Sequence, residues 1–260
     1  MKKKIAIIGA GISGLTFANL LKKNPNFEFT LYEKNNSLSL VNGYGIQLAP
    51  NSVFILNKIG FSKIHKEEKY NPKKIDFYSL KNNKICELDI ARFNSENIQY
   101  TTLKRSILVN CLKENLLSKD IQFNKKITKI NLNNFKLEIL FEDNSSDLVD
   151  YLIIADGVFS PTKSVLFNEN IKINYFGSVA IRGILTKEDL KFLNKENISV
   201  LLGPNFHLVT YPLNEKGEYN FIAIIKKKLN KKILEEHNFF NNKVNIKNLI
   251  EKKETLINFI

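Results

Sequence analysis

The sequence is short of the residues from which covalent frameworks and metal centres are built. Its 260 residues include two cysteines, Cys86 and Cys111, far apart in the chain, and three histidines, His65, His207 and His237, in no ligand spacing. Neither a disulfide scaffold nor a zinc site is supported, no metal is expected, and a reducing cytoplasm is the expected location. No CxxxxC redox pair occurs and no second GxGxxG exists among the eleven glycines, which argues against a reductase with two dinucleotide domains. No stretch approaches the roughly 18 apolar residues that cross a bilayer. The basic opening MKKKIAIIGAGISGL looks superficially like a secretory signal, but its glycine pattern has a better explanation.

Acidic residues are also few beside basic ones: 26 Asp and Glu against 39 Lys and Arg, a net charge of +13. The lysines are spread along the whole chain among many asparagines and isoleucines, which reads as compositional bias, and nucleic acid is not an expected partner. The same positive field is compatible with anionic cofactors, acidic substrates or peripheral contact with a membrane surface. At 43% hydrophobic residues, the chain has enough apolar material for a substantial core.

Residues 5–14 read IAIIGAGISG, and Glu33 ends the stretch FEFTLYE about twenty positions later. This is the spacing of a dinucleotide-binding β-α-β unit. Gly9 permits the turn after a buried strand, Gly11 leaves backbone bare for a pyrophosphate, and Gly14 lets the helix over 12–22 lie close to the sheet. That helix aims its unpaired N–H groups at the phosphates. A carboxylate at Glu33 suits the two hydroxyls of an adenosine ribose, favouring FAD or NAD over a 2′-phosphorylated cofactor.

Further along, Gly43 and Gly45 flank a short extended piece, and a helix starts at Pro50-Asn51 and stops at Gly60. Residues 74–90 read as a hairpin turning at Asn82-Asn83. Residues 101–117 read as one amphipathic helix, with Leu103, Ile107, Leu108, Cys111, Leu112 and Leu116 on its stripe. Strands are expected near 126–132, 135–143 and 147–157, the last an apolar run typical of a central strand buried on both faces. Beyond Pro161, segments 173–185, 198–213 and 219–228 read as a second, largely antiparallel sheet, and 229–260 as helices. The fold class is α/β: a Rossmann-like dinucleotide-binding domain, with a parallel sheet and a small antiparallel crossover sheet, interleaved with a mixed, largely antiparallel sheet. The expected division assigns 1–72 and 98–172 to the first domain, and 73–97 and 173–260 to the second.

Several segments in order resemble the class A FAD-dependent aromatic monooxygenases, the group of salicylate, hydroxybenzoate and ubiquinone-ring hydroxylases. They are GAGISG with Glu33, then GYGIQLAPNSVFILNKIG, then Arg105 in LKRSILVNCL, then YLIIADGVFSPTKSVL; AIRG at 180–183 and GPNFHLVTYPL at 203–213 follow. The resemblance runs from Lys4 to about Ile225. It implies FAD as cofactor, NAD(P)H as transient co-substrate, and hydroxylation of a phenolic or benzoate-type ring with O2 through a flavin C4a-hydroperoxide. The FAD contacts it implies are Gly9, Gly11, Ser13, Gly14, Glu33, Lys34, Gly45, Arg105, Ile127, Asp156 and Gly157.

Two departures stand out. Lys163 occupies a place where the family usually has arginine, keeping the charge without the planar fork. The family's later Gly-Asp motif, typically GDAAH, is missing from the 260 residues, so the chain is expected to be either a fragment or a shortened relative with an incomplete flavin site. A nucleotide-binding remnant without activity and a flavin-dependent reductase of the same superfamily therefore stay open beside the monooxygenase.

His207 and Tyr211 fall on one face of an expected strand. A tyrosine hydroxyl there can bond a phenolic substrate, and a neutral histidine can take the phenol proton, raising electron density on the ring. These two are the candidate catalytic residues. Arg182, with Tyr211, is the candidate substrate contact, because a guanidinium pairs with a carboxylate through two parallel hydrogen bonds.

Overall fold

The computed structural model describes residues 2–38, 44–169, 174–190 and 193–228. The chain opens with β1 (Lys3–Ile8), α1 (Ile12–Leu21) and β2 (Phe27–Tyr32), and the strands run parallel with Ile7 opposite Leu31. β1 reads as an apolar run because both its faces are covered. Ile5 and Ile7 pack with Leu15, Ala18 and Leu31 on the helical side, while Ala6 and Ile8 join Tyr32, Ile127, Ile139 and Phe141 on the other.

After β3 (Gly45–Leu48) comes α2 (Pro50–Asn57), with proline in its first turn, and the following turn ends at Gly60, which takes φ +99°. β4 (Lys69–Tyr70) precedes the hairpin of β5 (Lys74–Ser79) and β6 (Lys84–Asp89), whose turn puts Asn82 at φ +62°. The helix expected over 101–117 is a strand and then a helix: β7 (Thr101–Lys104) and α3 (Arg105–Glu114). Leu103 falls at helical spacing from Ile107, but Thr101 and Thr102 are β-branched and β3 offers them a ladder, with Ile46 opposite Leu103. Pairing with a distant strand overrides the local period. β3, β7 and β4 form a small antiparallel sheet with β7 in the middle.

A short β8 (Ile121–Gln122) extends the parallel sheet beside β2. β9 (Ile127–Asn133), β10 (Lys136–Phe141) and β11 (Ser146–Val149) make an antiparallel sheet. The single strand expected over 147–157 is instead β11 followed by β12 (Tyr151–Ile154), in two different sheets. Asp150 is the joint, since Lys4 donates its N–H to Asp150 Oδ2 at 2.8 Å and Asp150 returns its own N–H to Lys4 O at 2.8 Å. β12 does return to the first sheet, parallel to β1, giving the order β12-β1-β2-β8. Among the described residues it is an edge, not a central strand, and Tyr151 is half exposed. Apolar content alone does not distinguish these positions.

α4 (Pro161–Phe167) leads to β13 (Ser178–Thr186), β14 (Ile198–Leu202), β15 (Phe206–Pro212) and β16 (Glu218–Lys226). The expected strand 198–213 is thus a hairpin, bent where Gly203 donates its N–H to Phe206 O at 2.9 Å. The large sheet has the order β13-β16-β15-β14-β5-β6, with β14 and β5 its parallel pair. One face packs Leu201, Leu208, Phe221 and Ala223 against Leu190 and Leu193. The other carries Arg182, His207, Val209, Tyr211 and Ile222, related by strand register and alternation. Gly43 and the helices expected over 229–260 lie outside the described residues. No described helix is long and apolar enough to cross a membrane.

Three side-chain bonds join the small sheet to the large one. Gly45 donates its N–H to Asn220 Oδ1 at 2.7 Å, Thr102 Oγ1 donates to Pro212 O at 2.5 Å, and Lys104 Nζ meets Glu218 Oε1 at 2.6 Å. A Cβ on Gly45 would lie 2.5 Å from Leu213 and 2.6 Å from the Asn220 Cβ, so only glycine lets β3 and β16 approach this closely.

Candidate functional site

The glycine turn, β2 and the end of β12 enclose a groove of about 260 Å³. Gly9 takes φ +100°, and a Cβ there would lie 2.7 Å from Ala155 O, so the turn is pressed against the chain leaving β12. At Gly11 a Cβ would meet nothing within 4 Å. Gly11 is therefore not required by packing; it forms an open floor, and it caps α1, whose first turn has neither a side-chain cap nor an acidic residue. Unpaired N–H groups and the positive end of the helix dipole face that space. Gly14 serves packing: its Cβ would lie 2.0 Å from Gly9 O.

Glu33 is almost fully buried at the end of β2. Its Oε2 accepts the Ala10 N–H at 2.9 Å, and its Oε1 accepts the Asn35 N–H at 3.0 Å and Nδ2 at 2.7 Å. Of about four lone-pair positions on a carboxylate, three are occupied by the protein. Glu33 thus fastens the glycine turn, a role its spacing did not reveal, and keeps capacity for one further donor.

Asp156 sits across the groove. Its Oδ2 accepts from Thr162 Oγ1 at 2.6 Å and from the Thr162 N–H at 3.3 Å, while Oδ1 is buried without a hydrogen-bond partner. A buried, unpaired carboxylate oxygen is costly and is left for a ligand to answer. Gly157 follows with φ +86°. Lys34, Ile127, Asp156 and Gly157 all line the groove with Gly9, Gly11 and Glu33. Ser13 and Lys163 line an adjoining cavity of about 390 Å³ that shares Asp156 and Gly157 with it. Two expected members stand elsewhere: Gly45 packs on Asn220, and Arg105 opens α3, its N–H donated to Tyr44 O at 2.9 Å. Neither lines the two cavities.

On the large sheet, register places Arg182, Ile222 and Val209 side by side on the face that carries Tyr211. Four residues of strand put His207 about 13 Å from Tyr211 along β15; His207 is exposed and Tyr211 buried. The structure does not bring these two onto one atom. It gives Tyr211 different neighbours. Tyr100 donates its hydroxyl to Gln47 Oε1 at 2.7 Å, and the Gln47 side chain lies near Tyr211. Burial pushes the Tyr211 pKa up to about 12, against the Arg182 charge and the Gln47 side chain, which pull it down. Tyr211 is therefore a donor at neutral pH. Gln47 and Tyr100 escaped sequence reasoning; a polar residue between Ile46 and Leu48 on a half-buried strand was the available signal.

The NAD(P)-binding Rossmann-like domain family matches residues 7–54. The chain is 27% identical over 231 residues to 3-amino-4-hydroxybenzoate 2-monooxygenase PtmB3 of Streptomyces platensis, covering 86% of this chain and 57% of that protein. It is 24% identical over 234 residues to a salicylate hydroxylase of Pseudomonas putida, covering 85% and 54%. Among solved structures, HpxO of Klebsiella pneumoniae complexed with FAD and uric acid superposes with a TM-score of 0.74 at 22% identity, covering 88% of this chain and 57% of that one. The 2,6-dihydroxypyridine-3-hydroxylase of Arthrobacter nicotinovorans gives 0.74 at 19% identity, covering 89% and 58%. The fold is that of these hydroxylases, and the likeness to class A aromatic monooxygenases extends over most of the chain. The chain spans just over half the length of the curated relatives it matches.

Proposed function

We propose that the chain holds FAD and forms the flavin-binding and substrate-facing part of an NAD(P)H-dependent aromatic monooxygenase. The observation that carries the reading is the orphaned Asp156 Oδ1 at the mouth of a helix without a side-chain cap, across from Glu33 and beside the bare backbone at Gly11. Those features fit a dinucleotide: N–H groups for the pyrophosphate, one free acceptor position on Glu33 for a ribose hydroxyl, and an acceptor at Asp156 for a further hydroxyl. Gly9, Gly11, Ser13, Lys34, Ile127 and Gly157 form the walls. Bound there, FAD supplies the two-electron redox chemistry and the activation of O2. The domain division that accompanies this reading gives 1–72 and 98–172 to the cofactor, and 73–97 and 173 onward to the ring substrate.

The protein's own share is binding, orientation and exclusion of water. Tyr211, kept protonated by its burial, donates to an oxygen of the ring substrate, and Arg182 meets an acidic substituent on the same sheet face. His207, at the exposed end of β15, serves as the proton acceptor only for a substrate long enough to reach it. The relatives' names point to hydroxylated aromatic or heteroaromatic acids as the substrate class. The purified chain is titrated with FAD, and NAD(P)H oxidation is followed with salicylate and 4-hydroxybenzoate under labelled O2. Tight yellow FAD, substrate-stimulated oxidation and label in the product support the reading. Oxidation without label assigns a reductase, and failure to take up FAD assigns a remnant.

A further inference from the structure

A separate cavity of about 470 Å³ opens where α2, the turn after it, β4 and the start of β7 meet. It shares no lining residue with the two cavities beside Asp156, and none with the sheet face that carries Tyr211. Among the described residues, one cation faces it. The Lys69 ammonium lies 5.3 Å from the centroid of the buried Phe61 ring, and burial pulls its pKa below the ordinary lysine value. Lys4, Lys74, Lys104 and Lys125, half-buried like it, each have a carboxylate partner. Lys69 has none among the described residues, so the Phe61 ring is left to offset part of the desolvation cost of its charge, and no described carboxylate does so.

Two amides complete the arrangement, and their orientation is decided by their backbone partners. Asn71 Nδ2 donates to Tyr100 O at 3.0 Å and to Thr101 Oγ1 at 2.9 Å, and Asn57 Nδ2 donates to Asn97 O at 2.8 Å. A backbone carbonyl only accepts, so it must be met by the amide nitrogen, and each amide oxygen is turned elsewhere. Neither oxygen has a hydrogen-bond partner among the described residues, and both residues line the cavity. The walls therefore offer one cation and at least two acceptors, with Glu96 as a further acceptor at the rim. A bare anion would engage only the cation and a neutral sugar only the acceptors.

We propose that this cavity binds a small carboxylate bearing several hydroxyl donors, a ligand of the sugar-acid type, with Lys69 as the partner of its carboxylate. The assignment is independent of the flavin reading, because neither the residues nor the readout involves the dinucleotide groove.

Gluconate is titrated into the full chain by calorimetry, with acetate and glucose as half-ligands. Saturable gluconate binding is expected, with acetate and glucose each weaker by about tenfold or more, the loss that accompanies removal of a charged or multiple hydrogen-bonding partner. Lys69→Gln and Ser62→Asp should each weaken gluconate by about tenfold or more, with the far-ultraviolet spectrum unchanged. Ser62 is exposed on the cavity rim, so Ser62→Asp places an opposing charge there without disturbing the core, and it decides the matter alone if the lysine variant does not fold. Absence of saturable heat with gluconate, equal binding to Lys69→Gln, or acetate binding as tightly as gluconate would overturn the proposal.

Discussion

Replacing Asp156 by asparagine separates a ligand-holding carboxylate from a structural one, because the two roles predict effects of different kinds. In the free protein, Oδ2 is satisfied by Thr162 and Oδ1 is buried with no partner. Asparagine keeps an oxygen for Thr162, removes the buried charge, and exchanges the orphaned acceptor for an amide that can turn toward water. The free chain should therefore melt at the same temperature or higher, by the order of 1 kcal/mol of relief expected when a buried, unsatisfied acceptor is removed. A ligand hydroxyl that donated to Oδ1 loses a hydrogen bond to a charged group, worth about 1.5–3 kcal/mol, and the affinity for FAD should fall by about tenfold to a hundredfold. Flavin fluorescence quenching measures the affinity and calorimetric melting of the apoprotein measures the stability. A variant that melts early yet binds FAD as the parent does would refute the reasoning, since Asp156 would then be no more than an anchor for Thr162 in the first turn of α4.

Other substitutions test other parts of the structure. Glu33→Ala leaves the buried Ala10 N–H without its acceptor and should destabilise the free chain by about 1–3 kcal/mol in urea unfolding, in addition to weakening FAD. Gly14→Ala places a Cβ 2.0 Å from Gly9 O; a loss of about 3 kcal/mol is expected, seen as a lowered denaturation midpoint, whereas Gly11→Ala, with open space around it, should leave the midpoint unchanged. Tyr211 has a folded-state pKa raised to about 12, above an unfolded value of about 10. Its contribution to stability is thus intact below about pH 10 and lost as the pH rises toward 12. Tyr211→Phe should flatten part of the alkaline decline in melting temperature, although Tyr32, also raised by burial and by its bond to Asp147, maintains the rest.

What could be read in advance follows from how local the determinants are. The β-α-β unit and Glu33 are coded within about thirty consecutive residues, and hydrophobic period, glycine placement and the terminal acid all agree there. The exchange of sheets at Asp150 was hidden, since an aspartate inside an apolar run becomes a break only when Lys4 supplies both halves of a reciprocal backbone and side-chain pair. Residues 101–104 misled for a related reason: their helical spacing is real, but β3, more than fifty positions away, has the stronger claim on Thr101 and Thr102. At the site, alternation correctly put His207 and Tyr211 on one face without conveying that burial divides them. Gln47 and Tyr100 became visible only when two sheets remote in sequence were set against each other.

The bonds that join β3 and β7 to the large sheet span 175, 110 and 114 residues of chain. Such separations mean high contact order and slow acquisition of the native topology. On the ribosome, Gly45, Thr102 and Lys104 emerge long before their partners near 212–220 have been made, so the small sheet is synthesised with that flank unprotected. Synthesis of β15 and β16 then closes a structure begun near the amino terminus, and shortening the chain ahead of them should release aggregation-prone material rather than a smaller working module.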